Sequence, residues 1–210
     1  MPQPPPGDQR WSTFLRNHAQ VIVACDFFVA VTATFRLLYV LVVIHHGSRR
    51  VLHFKVTAHR SAAWTLQQLR EAIGAQDGHH YLLHDRDRIF AASLEESIQR
   101  LGLTVLKLPP RSPKPNAICE RLVGTIRCEC LDGLIPMPEA HLRALLTSWV
   151  GHYNRGRPPM SLGPGVPDPP SLSTPPQTPE PRHRIDAALV HAKSVLGGLH
   201  HEYSSIPAIA

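Results

Sequence analysis

Proline sets the limits of what this chain can fold into. Of 210 residues, 21 are proline, and they are unevenly placed. Pro2, Pro4, Pro5 and Pro6 open the chain, and ten more lie between Pro158 and Pro181. Proline fixes φ and carries no N–H, so such stretches build neither a strand ladder nor a helix interior. They also hold few apolar side chains to bury. The pattern predicts an irregular Pro-rich N-terminal tail over residues 1–18, a compact part over 19–156 and a largely irregular Pro-rich tail over 157–210. Hydrophobic residues make up 43% of the sequence, enough for one proper core, while the length excludes two large domains.

Charge and cysteine content narrow the partners. Lys and Arg number 22 against 16 Asp and Glu, a formal charge of +6, which suits an anionic partner such as nucleic acid. Four cysteines without regular spacing exclude a disulfide scaffold and predict reduced thiols in a cytoplasm. The N-terminus reads MPQPPPGDQR, with no apolar run of a secretory signal. The most apolar region, Val21 to Ile44, contains Asp26 and Arg36. Each charge costs about 2.5–3.5 kcal/mol at a bilayer centre. Two strands fit the region better than a membrane span.

The order of elements is readable. VIVACDFFVAV (Val21 to Val31) and LLYVLVVI (Leu37 to Ile44) are β-rich, and His45-His46-Gly47-Ser48 makes a hairpin turn into RVLHFKVT, which alternates in period two. Ser61 caps a helix running to about Ile73. Tyr81 to Asp85 is a fourth strand, Ala91 to Leu101 a helix ended by Gly102, and Thr104 to Leu108 a fifth strand. After a Pro-rich loop, helices run from Asn116 to about Leu131 and from Pro138 to Tyr153. This order predicts an α/β fold: three antiparallel strands extended by two parallel crossover strands into a mixed five-stranded sheet, with helices on both faces.

Three acids stand where such a sheet gathers them. Asp26 lies inside an apolar strand, a costly place for a bare carboxylate unless it is paired, protonated or bound to a metal. Asp85 ends the fourth strand, and Glu120 lies one turn into the helix from Asn116. An all-oxygen set suits Mg²⁺ or Mn²⁺, and two such ions support phosphoryl transfer. The residues alone equally admit an ordinary scatter of surface and paired acids. Cys128-x-Cys130 is not a usual zinc spacing, and the His45-His46, His79-His80 and His200-His201 pairs read as exposed polar residues in turns or tails.

Four segments in order resemble the DDE transposase and retroviral-type integrase catalytic core, particularly that of bacterial insertion-sequence transposases. ACDFF carries the first acid and HDRDRIF the second. PPRSPKPNAICERLVGTIRCECLD resembles the Ser-Pro-x-x-Asn-(x)3-Glu-Arg block that holds the third. HYNRGRPPMSLG resembles the downstream Tyr-Asn-x-x-Arg-Pro-His-x-x-Leu-Gly segment. Asp85 and Glu120 are 35 positions apart, the spacing that this family's pattern leads one to expect. Two departures are Pro159 at the family's His and Pro115 at its usual Ala or Gly; neither removes a ligand.

The resemblance implies an RNase H-like fold, two Mg²⁺ or Mn²⁺ ions per site and DNA strand cleavage and transfer. It makes Asp26, Asp85 and Glu120 the metal ligands and catalytic residues. Asp87 competes for the second position, but Phe90 occupies the family's Phe position if Asp85 is the ligand, which leaves Asp87 as a turn residue. Asn116 caps the last acid's helix or helps hold the site. Lys107, Arg111, Lys114, Asn116, Arg121 and Arg127 are the expected DNA-binding residues. The partners implied are transposon ends and target DNA, a homo-oligomer on DNA, and a separate helix-turn-helix subunit, with no membrane. Related transposases usually carry such a module upstream, so the reading is of a split transposase or a truncated copy. The rival functions are a non-catalytic DNA-binding remnant and a simple RNase H-like nuclease.

Overall fold

The computed structural model describes residues 8–74, 78–85, 87, 89–106, 116–156, 166–168 and 189–206. They divide into two units, Met1–Ala144 and Leu145–Ala210.

The first unit is built on a five-stranded sheet in the order β3-β2-β1-β4-β5. β1 (Ile22–Val31), β2 (Leu37–His45) and β3 (Val51–Thr57) form an antiparallel meander, and β4 (Tyr81–His84) and β5 (Thr104–Leu106) add to it in parallel. The β-rich runs therefore lie where the sequence sets them. β1 is the central strand, and its residues Ile22 to Cys25 are wholly buried. A strand buried on both faces needs apolar residues at consecutive positions, which explains the unbroken run.

Alternate positions of β1 serve different helices. Val23, Cys25 and Phe27 pack with Leu69 of α2 (Ala62–Ala72) and with Leu94 and Ile98 of α3 (Ala92–Arg100). The positions between them, with Asp26 among them, face the other side, where α4 (Ala117–Ile126) packs on β1 and β2. Ser61 caps α2 as the sequence predicts, its hydroxyl accepting from the Trp64 N–H at 3.2 Å.

Two segments read as tails carry regular structure. Residues 8–17 form α1 (Asp8–Asn17). Trp11 and Phe14, three apart, are both buried, and Phe14 meets the edge of the Tyr81 ring at 5.5 Å. The early prolines stop short of this amphipathic turn, so they do not prevent it. In the second unit, β6 (Leu189–Val195) and β7 (His200–Ile206) pair as an antiparallel hairpin. Its reversal uses Gly197 and Gly198 at φ 66° and 99°, a backbone region that side chains disfavour. The same unit holds the end of α5 (Glu139–Arg155), where Trp149 and Tyr153 stack at 4.9 Å and His152 Nδ1 meets Glu202 Oε1 at 2.9 Å. No helix among the described residues is long and apolar enough to cross a membrane.

Candidate active site

The register of the parallel pair bears on where the first two acids lie. β1 and β4 align Ile22 with Tyr81 and continue in step to Cys25 with His84. The last paired residues, Cys25 and His84, immediately precede Asp26 and Asp85 in their chains, and Asp85 lies just past the end of β4. On its other side Asp26 pairs with Val42 of β2. Asp26 is half-buried and accepts the Phe27 N–H at 2.7 Å.

Its carboxyl is pushed up to about 6, first by burial, against the pull of the Phe27 N–H, and then by the negative charges of Asp85, Glu120 and Asp87. Acids from the loop after β4 and from α4 thus act on one carboxyl of the central strand.

Glu120 is exposed in the first turn of α4, where a carboxylate also complements the helix dipole. Of the two roles expected of Asn116, capping is not the one seen. It makes no side-chain cap hydrogen bond. It is 2% exposed, and its Nδ2 donates to the Cys25 carbonyl at 3.1 Å. Its own carbonyl accepts the Glu120 N–H at 3.0 Å. Asn116 therefore ties the turn bearing Glu120 to the residue before Asp26. Burial removes it from the DNA-facing surface to which the sequence reading assigned it.

The second acidic segment resolves into two different residues. β4 stops at His84, so Asp85 and Asp87 do not continue the strand. The chain turns instead: the Asp87 carbonyl accepts from the Phe90 N–H at 2.9 Å, and Asp87 Oδ1 accepts from the Ile89 N–H at 3.2 Å. Phe90 is buried and stacks on the His84 ring at 4.0 Å, anchoring the loop. Asp87 also forms an ion pair with Arg60. Sequence reading missed Arg60, which stands 27 residues from its partner in no motif.

The basic residues fall into two groups. Arg121 and Arg127 are exposed, and the Arg127 guanidinium lies 6.0 Å from the Phe28 ring centroid. An open groove of about 540 Å³ runs along α4 past Glu120, Arg121, Thr125 and Cys128. Lys107, Arg111 and Lys114 lie outside the described residues. Past Ile126 the helix widens to a π-helical turn over Arg127–Leu131, with the Asp132 N–H donating to the Arg127 carbonyl at 2.8 Å. The sequence predicts an unbroken helix there.

The donor set fits a hard divalent cation in kind: carboxylate oxygens, drawn from separate elements, with Asp26 half-buried and without an ion-pair partner among the described residues. Among the described residues, no three acid, histidine or cysteine side chains are drawn together as a ready ligand cage.

Comparison with known proteins bears on the fold. Residues 101–167, which include Glu120, match the family described as integrase core domain. The structure is similar to a chain of the simian T-cell lymphotropic virus intasome in complex with PP2A regulatory subunit B56 gamma, at 14% identity and TM-score 0.55, over 89% of this chain and 67% of that one. It is similar to the catalytic domain of Mos1 mariner transposase at 15% identity and TM-score 0.52, over 67% of this chain and 76% of that one. The fold is that of an integrase or transposase catalytic core. A third similar structure is the HTLV-2 integrase catalytic core domain in complex with magnesium, at 14% identity and TM-score 0.51, over 64% of this chain and 86% of that one. No curated protein matches the chain. The mixed five-stranded sheet is that of an RNase H-like fold, as the resemblance implies.

Proposed function

We propose that this core catalyses divalent-metal-dependent DNA strand cleavage and strand transfer, the chemistry of transposition and DNA integration. The observation that carries the reading is the Asp26 carboxyl, on which the charges of Asp85 and Glu120 converge from two other elements.

Asp26, Asp85 and Glu120 would hold Mg²⁺ or Mn²⁺. When bound, such ions activate the attacking water or 3′-hydroxyl and stabilise the leaving oxygen of the phosphodiester. The chain's own part is positioning. β1 and β4 fix two carboxylates by their register, and Asn116 fixes the third by tying α4 to β1. Arg121 borders the groove beside Glu120 and Arg127 follows on α4; both are exposed cations suited to phosphate. Lys107, Arg111 and Lys114 extend the same role along the preceding segment. The HTLV-2 core in its dimeric form supports a homo-oligomer on DNA, and element-end recognition by a separate helix-turn-helix subunit belongs to the same proposal.

The test is a set of duplexes carrying the DNA sequences on either side of this gene, including any inverted repeats found there, incubated with the chain and Mg²⁺ or Mn²⁺. Nicked ends and joined products are expected. Hydrolysis without joining would replace the reading with a nuclease. DNA binding without turnover in either metal would replace it with a non-catalytic remnant.

A further inference from the structure

We infer that the tip of the β1–β2 hairpin is a self-association surface, on which two copies of this chain pair about a two-fold axis with Phe35 of each seated in a pocket of the other. This surface serves the homo-oligomer of the proposed function, and the inference rests on that part of it.

Nine large apolar side chains are exposed among the described residues, and six of them lie on this hairpin or on the loop that it meets: Val29, Val31, Phe35, Leu37, Ile135 and Met137. They are neighbours. Val31 pairs with Leu37 across the strands, and Val29 lies two residues back on the same face. The Ala33 N–H donates to the Pro136 carbonyl at 2.8 Å, which brings Ile135 and Met137 to the hairpin. A contiguous apolar patch of this kind marks an interaction site.

Phe35 carries the sharper signal. Its N–H donates to the Thr32 carbonyl at 2.9 Å, and the Thr32 N–H donates to the Arg36 carbonyl at 3.0 Å. Phe35 fills the left-handed position of this turn, at φ 57°, where glycine is the usual residue. A bulky side chain there strains the backbone. Its ring gains nothing from the fold in return, being 87% exposed. Strain without an internal contact points to an external one. Between the hairpin and the loop lies a pocket of about 310 Å³, with Leu38, Met137 and Pro138 among its walls. An aromatic knob beside an apolar-walled hole, on one surface, is the self-complementary arrangement that a two-fold interface needs.

Charge favours a second copy over nucleic acid as the occupant. The pocket is lined by one cation and one anion, Arg36 and Glu139, and the neighbouring groove along Val29 and Ile135 by Arg127 and Asp132. A phosphate backbone selects an excess of cations. Balanced charge lets the two-fold axis set Arg36 of one copy against Glu139 of the other, which the ion pair with its own Arg143 already orients.

The experiment is sedimentation equilibrium of the full chain over a concentration series, without DNA or metal. Wild type should dimerise. Phe35→Gly should raise the dimer dissociation constant at least about 10-fold. The Tm of the dilute chain should hold or rise in this variant, because glycine relieves the turn. Arg36→Glu and Glu139→Arg should each weaken self-association. An equimolar mixture of the two should recover it, because opposite charges then meet between unlike copies. The inference is overturned if Phe35→Gly leaves the dissociation constant unchanged, if its Tm falls, or if the mixture recovers nothing; a wild-type dimer then keeps the homo-oligomer on another surface. A wild type that is monomeric at every concentration overturns it too, and the same series with a duplex of the flanking DNA decides whether the homo-oligomer falls with it. A monomer whose binding to that duplex is weakened by Phe35→Gly would assign the surface to DNA instead.

Discussion

The two ends of the sheet's central strands treat buried ionisable groups in contrasting ways. At one end His46, in the β2–β3 turn, donates its backbone N–H to the Ile22 carbonyl and is buried. Its imidazole is pushed down to about 4, first by burial and then by Arg49 and His45. Further along β1, Asp26 is pushed up to about 6. Both groups are driven towards neutrality by dry surroundings and like charge. The difference lies in where the like charges come from. The neighbours of His46 belong to its own turn. Those of Asp26 come from positions 85, 87 and 120, far apart in sequence, and only tertiary structure brings them together. A turn can crowd its own residues for structural reasons. Crowding assembled from three elements against electrostatic cost points to a site.

The largest effect should break the two ends apart. Asp26→Asn, Asp85→Asn and Glu120→Gln should each lower DNA cleavage by more than about 10²-fold, the scale set by loss of one charge-stabilising group. His46→Gln should leave cleavage within about twofold. The assay is product formation at fixed Mg²⁺ on the duplexes that carry the flanking sequences. If His46→Gln were as damaging as the acid variants, the contrast would be without functional meaning.

Asn116 comes next. Asn116→Leu removes the donor to the buried Cys25 carbonyl and should cost about 1–3 kcal/mol of stability, the range for an unsatisfied buried partner. It should also lower cleavage, because the turn bearing Glu120 loses its tie to β1. Asn116→Asp should be worse on both counts, since it puts a further negative charge beside Asp26. Urea unfolding and the cleavage assay read the two effects separately. Equal behaviour of the two variants would mean that the tie is steric and not a hydrogen bond.

The comparison also explains what was legible in the sequence. Strands β1 to β4 were, because period two and unbroken apolar runs are local properties. The acids at 26, 85 and 120 stood out in the sequence because their segments follow a family order. For Asn116 the sequence left a cap and a role in holding the site open, because a cap and a tie to a strand 91 positions away look alike in sequence. Arg60 left no trace, since its meaning lies in Phe27, Tyr39 and Asp87, which its guanidinium meets. Helix α1 was hidden by the prolines before it, although Trp11 and Phe14 carry the spacing of a buried helix face. The β6–β7 hairpin left a readable mark in Gly197-Gly198, which the proline bias of the preceding segment overrode.

The smallest effect, and the sharpest test of the contrast, is the pH dependence of stability in the metal-free chain. Asp26 rises from 3.8 to about 6 on folding, so between those values the folded state binds more protons than the unfolded one. Its contribution to stability therefore falls as pH rises from about 4 to about 6, and above that the charged carboxylate costs at most about 3 kcal/mol. His46 falls from 6.5 to about 4 on folding, so over nearly the same window the unfolded state binds more protons. Its contribution is lost as pH falls from about 6.5 to about 4, with a slope opposite in sign. In the wild type the two slopes offset each other, and stability should vary little across this window on their account. Asp26→Asn should remove the first slope, stabilise the metal-free chain at pH 7 and expose a steeper loss of stability on acidification. His46→Gln should do the reverse, leaving a chain that gains stability as pH falls from about 6 to about 4. Chemical unfolding at half-unit pH steps measures both. Parallel curves for the two variants would show that these groups do not govern the window, and the two ends of the sheet would no longer be electrostatic opposites.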